Sequence, residues 1–147
     1  MENLRSILTK IEDTMVELEA ILAEEMNQLR RPQINPVSLQ IVADTKSRLL
    51  STISYYDELR RQEELRLNLE APYYQNAAFS RSWKNITERV TSANQYNQNI
   101  YSLLDIHMQK INNLKTIVNK AENGTALYSQ DGQSRAGRSG KVYNFSI

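Results

Sequence analysis

Apolar residues recur along this chain at alternating steps of four and three. From Phe79 the series runs through Trp83, Ile86, Val90, Ala93, Asn97, Ile100, Leu104, His107, Ile111, Leu114 and Val118, and only Asn97 and His107 are polar. That spacing keeps one stripe of a helix turned towards a neighbouring helix. Neither Pro nor Gly lies between Phe79 and Asn123, so the pattern predicts one helix of roughly 40 residues, about 60 Å long. A small domain cannot bury such a helix by itself. Some of the stripe is left for a partner.

The same spacing returns near the N-terminus as Leu4, Leu8, Ile11, Met15, Leu18, Leu22, Glu25 and Leu29, with Ile7 and Ile21 widening it. It predicts a helix over 2–30 that buries about a third of its circumference and stops before Pro32. Asn35-Pro36 then offers a side-chain cap and a first-turn proline, and so short a link predicts antiparallel neighbours. A second helix over 36–70 carries Leu39, Val42, Lys46, Leu49, Ile53 and Tyr56 on its seam. Lys46 interrupts that seam, and its stem is expected to pack while its ammonium reaches water. From Leu59 the pattern degrades, so this half of the helix is expected to protrude or fray. Ala71-Pro72 closes it, Tyr73-Tyr74 reads as a lid on the end of the bundle, and Asn76 or a neighbour is expected to cap a third helix over 77–121.

All four glycines (Gly124, Gly132, Gly137, Gly140) fall after that helix. The fold expected is all-α: three long helices in an antiparallel, coiled-coil-like bundle over 1–122, then a flexible tail over 123–147. Two apolar islands interrupt the tail, Leu127-Tyr128 and the alternating Tyr143, Phe145 and Ile147, and both read as docking peptides or as segments folding back on the bundle.

Charge adds an orientation. Counting Lys and Arg against Asp and Glu, residues 1–31 carry 4 and 7, whereas residues 73–122 carry 6 and 3. An acidic first helix and a basic third one are favoured as neighbours. The net charge of +1 gives no pull towards nucleic acid, and Arg60-Arg61 is bracketed by Asp57, Glu58, Glu63 and Glu64. Glu12, Asp13, Glu24 and Glu25 are expected on solvated faces.

The residues support no catalysis. Cysteine is absent, which removes thiolate nucleophiles and zinc–thiolate sites. The single histidine, His107, lacks a nucleophile and an orienting acid at any recognised spacing, and reads as a structural seam residue. No phosphate loop, dinucleotide fingerprint or metal motif occurs, so no metal or cofactor is expected. The N-terminus has neither the apolar run of a signal peptide nor that of a membrane span, which makes a cytoplasmic location the expectation. The amide-rich stretch Asn94-Gln95-Tyr96-Asn97-Gln98-Asn99 places Asn97 in the seam, as a register device or as a donor and acceptor for a partner.

Several of these stretches together resemble the FlgN-type flagellar export chaperones, which serve the hook–filament junction proteins. They are Gln33-Ile34-Asn35 before Leu39, then Lys46, Leu49-Leu50 and Tyr55; Trp83 with Ile86-Thr87-Glu88; Asn94-Gln95 and Asn97 before Leu103-Leu104; Leu127-Tyr128 with Asp131-Gly132-Gln133; and Gly140-Lys141 to Ser146-Ile147. The resemblance implies a cytoplasmic binding protein without turnover, transiently at the membrane export apparatus. It would hold the C-terminal amphipathic helices of hook-associated proteins 1 and 3, prevent their premature assembly, and deliver them to the cytoplasmic domain of the export-gate membrane protein. On that reading Asn97, Ile100, Leu104, Ile111, Leu114 and Val118 grip the cargo helix, Leu127 and Tyr128 meet the gate, and Tyr143, Phe145 and Ile147 dock the tail. The competing reading is a structural coiled-coil subunit that self-associates through the same stripe, as a homodimer for instance.

Overall fold

The computed structural model describes residues 1–122. Three helices account for nearly all of them: α1 (Glu2–Leu29), α2 (Pro36–Leu67) and α3 (Ala77–Ala121). The Asn35 side chain accepts hydrogen bonds from the backbone N–H groups of Val37 and Ser38, and Asn76 does the same for Ala78 and Phe79. Both caps fill backbone donors that the first turn of a helix leaves without partners.

The chain runs up, down and up, with α1 in the middle. α1 packs against both other helices, whereas no Cα of α2 comes within 8 Å of one in α3. The reason lies in the width of α1's buried face. Leu4, Leu8, Ile11, Met15, Leu18 and Leu22 form one seam, and Ile7, Thr14, Glu25 and Gln28 extend burial to the side. At 100° per residue the buried arc spans about 160°, nearer half the circumference than a third, so one helix lies on each half of it. The opposite charges of α1 and α3 meet across their shared seam: Arg89 pairs with Glu19 at 2.9 Å, and Asn85 donates to Glu12.

The structure corrects the reading of Lys46 and Glu25. Lys46 Nζ does not reach water but lies 2.8 Å from Glu25 Oε1, and the two side chains are only 3% and 8% exposed. Nor is Glu25 on a solvated face. Each residue breaks the seam of its own helix, and the breaks face one another across α1 and α2, where the charges satisfy each other. The pair fixes which turn of α2 meets which turn of α1.

The second half of α2 is corrected as well. It neither protrudes nor frays: Leu59 and Leu67, with Leu69 just past the helix end, pack against the core, and Arg60 is buried. Arg60 donates to Asp57 at 2.8 Å and to Glu64 at 2.7 Å, and its guanidinium lies over the Trp83 ring, 4.5 Å from the centroid. Burial alone would lower the Arg60 pKa; its hydrogen bonds to Asp57 and Tyr73 outweigh that and raise it. The helix ends at Leu67, three residues before the expected Glu70, because Asn68 turns left-handed at φ 56° and the Leu69 N–H reaches back to the Glu64 carbonyl. Asparagine tolerates that conformation better than most residues, and it closes helices by this geometry. Tyr73 is buried, edge-on to Phe79 and Trp83, with its hydroxyl donating to Glu64. Burial, with that hydrogen bond second, holds its phenol pKa well above the ordinary value. Tyr73 is therefore a plug at this end of the bundle, while Tyr74 is exposed.

Removing one partner of the central pair leaves a buried charge unmatched. Glu25→Ala is expected to destabilise the bundle by about 3–5 kcal/mol, and the double substitution Glu25→Leu with Lys46→Met to recover most of that loss; urea unfolding followed by circular dichroism checks both.

Candidate functional site

The three helices differ in length, with 28, 32 and 45 residues. α1 and α3 start at the same end of the bundle, so α3 outruns α1. The point where it leaves is marked by His107, whose Nε2 lies 2.6 Å from the carbonyl oxygen of Leu29, the last residue of α1. A carbonyl only accepts, so Nε2 carries the proton and donates. The bond satisfies one of the carbonyls that a helix end leaves open.

Burial along the stripe changes at this place. Phe79, Trp83, Ile86, Val90, Ala93, Asn97 and Ile100 are buried against the chain's own core, and Leu103 and Leu104 are partly buried. Past His107, Ile111 is 48% exposed, Leu114 60%, Ile117 61% and Val118 50%. These residues sit on a helix that continues for about 20 Å beyond its support. We call this part of α3 the overhang. An apolar stripe left in solvent over such a length marks an interaction surface.

The six residues expected to grip a cargo helix therefore divide. Asn97 and Ile100 are taken up by the intramolecular seam, which corrects their placement in a partner-binding stripe: α1 reaches far enough to cover them. Leu104 lies at the root of the overhang, and Ile111, Leu114 and Val118 line it. Leu127, Tyr128, Tyr143, Phe145 and Ile147 lie outside the described residues.

Other exposed apolar residues were not foreseen. Ile106 is 48% exposed and, with Ile117, lies beside the first seam. Their signal was present in the sequence as a second series, Leu103, Ile106, Lys110, Leu114, Ile117 and Ala121, again stepping by three and four. Among the described residues no cluster of side chains could hold a metal ion, and no helix is long and apolar enough to cross a membrane. A polar depression between α1 and α3 is lined by Glu19, Asn85, Glu88, Arg89 and Ser92, of which Arg89 and Ser92 both donate to Glu19.

A family model described as FlgN protein matches residues 1–136. The chain belongs to the FlgN family. It is similar to the flagella synthesis protein FlgN of Escherichia coli K12, 30% identical over 142 residues that cover 96% of this chain and 97% of that one. The Salmonella typhimurium protein of the same name is 29% identical over 140 residues, covering 95% and 96%. That of Yersinia enterocolitica is 27% identical over 135 residues, covering 92% and 91%. No solved structure matches the chain.

The division of the stripe is measurable in the protein alone. Ile100→Asp places a carboxylate in the core and is expected to cost several kcal/mol, whereas Ile111→Asp or Leu114→Asp is expected to change stability by less than about 1 kcal/mol. Thermal unfolding of the three variants checks this.

Proposed function

We propose that this protein is an export chaperone of the flagellar system, holding the C-terminal amphipathic helices of the hook–filament junction proteins, hook-associated proteins 1 and 3, on the overhang of α3. The observation that carries the reading is the change from buried Ile100 to half-exposed Ile111, Leu114, Ile117 and Val118 along one continuous helix. Membership of a family whose curated members are named flagella synthesis proteins supports the setting. The cargo helix supplies the neighbour that α1, ending at Leu29, does not provide, and its own apolar face is kept from premature assembly while bound. The tail then brings the loaded protein to the cytoplasmic domain of the export gate, with Leu127 and Tyr128 making the contact. The role is one of binding and delivery, in the cytoplasm and transiently at the export apparatus. It calls for no catalytic residue and no cofactor.

The area at stake is modest. Four side chains about half exposed have roughly 3–7 kcal/mol of burial left to gain, against association costs of roughly 4–15 kcal/mol. Cargo must therefore touch more of the overhang than the first seam to be held firmly.

The test is a pull-down with the C-terminal segments of both junction proteins and with the gate's cytoplasmic domain. Ile111→Asp or Leu114→Asp is expected to weaken cargo binding at least about tenfold with unchanged helix content, and to leave gate binding intact. Truncation after Asn123 is expected to do the reverse. Loss of both activities on truncation, or a stable oligomer of the chain with no affinity for either segment, overturns the reading.

A further inference from the structure

The overhang is apolar over more of its circumference than one neighbour covers. On a helical projection Ile117, Ala121, Leu114, Val118 and Ile111 occupy about 120°, widened to about 160° by Ile106 and Leu104 at the root, whereas Lys115 and Met108 lie past that arc and Gln109, Asn112, Asn113, Thr116, Asn119 and Lys120 fill the rest. Two seams share this arc: Leu104, His107, Ile111, Leu114 and Val118 form one, and Leu103, Ile106, Lys110, Leu114, Ile117 and Ala121 the other. The same molecule shows what such an arc does. On α1 a buried face of similar width carries two helices, one on each half, whose backbones stay apart.

The second seam contains a charge. Lys110 lies between Leu114 and Ile117 in projection and makes no ion pair among the described residues. Here too the bundle supplies the precedent, since Lys46 interrupts the seam of α2 and is met by a carboxylate of the facing helix, Glu25. From Ile106 to Ala121 the overhang carries Lys110, Lys115 and Lys120 and no acidic residue. A second copy would set these lysines against one another. The chain's own tail, with three cations and one acid over 123–147, matches them poorly. An acidic partner suits them.

Resting on the chaperone reading, we infer that the overhang accepts two amphipathic helices of one partner chain, one on each seam, and that the helix on the second seam places a carboxylate against Lys110. The chemistry of the cargo is thereby specified: an acidic helical hairpin, not a lone helix and not a basic one. Leu114, common to both seams, sits under the junction of the two helices.

The probes are an idealised leucine–alanine helical hairpin peptide with glutamates flanking its apolar faces, the same hairpin with lysines, and each glutamate helix alone, titrated by fluorescence anisotropy into the full chain. The glutamate hairpin is expected to bind at least about tenfold tighter than the lysine hairpin or either single helix, less so at high salt. Lys110→Glu is expected to reverse the preference between the hairpins, whereas Lys120→Glu, on the polar face, retains it. Ile117→Asp is expected to reduce hairpin binding to the level of a single helix. Equal affinity for single helix and hairpin, a preference that ignores Lys110→Glu, or a dimer of the chain that Ile117→Asp dissociates overturns the inference. The junction-protein segments separate this from failure of the chaperone reading: if they bind the Ile111→Asp chain as well as the unsubstituted one, that reading falls; if they bind through the overhang but indifferently to Lys110→Glu and Ile117→Asp, only the present inference does.

Discussion

The structure depends on α1 being the only helix whose backbone packs against both others. Its apolar face is wide enough for two neighbours, so α2 and α3 have no need to pack backbone to backbone, and each spends a narrower seam on it. Where α1 covers the stripe of α3, from Phe79 to Ile100, the stripe is buried. What α1 does not reach, the last part of α3, remains half in water. Core and exposed surface are thus two stretches of one repeating pattern, separated only by where a different helix stops.

That explains how much could be read from the sequence. The step of three and four set out the three helices, and Asn35 and Asn76 gave their starting points, because these signals are local. The seam in α3 was also plain from Phe79 to Val118, but its division was not. Ile100 and Ile111 are chemically alike, and only the end of α1 at Leu29 assigns one to the core and the other to the surface. The second series on the overhang was visible, yet it stood in the shadow of a longer and more regular one.

The charges were misread for a related reason. Lys46 and Glu25, each taken with its own neighbours, are seam breaks best solvated; taken together they are a matched pair, and nothing short of the packing of α1 on α2 brings them together. Arg60 shows the same effect at the far end of the bundle. In a run of arginines and glutamates it belongs to the half of α2 expected to protrude or fray, but the left-handed turn at Asn68 and the return of Tyr73 give it a ring to lie over and three side-chain oxygens to bind. Polar side chains at helix interfaces take their meaning from the facing helix, which periodicity does not supply.

The His107 bond to the last carbonyl of α1 has a consequence for how such a surface can change. It pins α3 to α1 at one level, so the reach of the free stretch is measured by the ruler of α1's length. Each turn gained or lost there conceals or uncovers about 5.4 Å of the apolar stripe. How much of one helix stands in water is governed by the length of another.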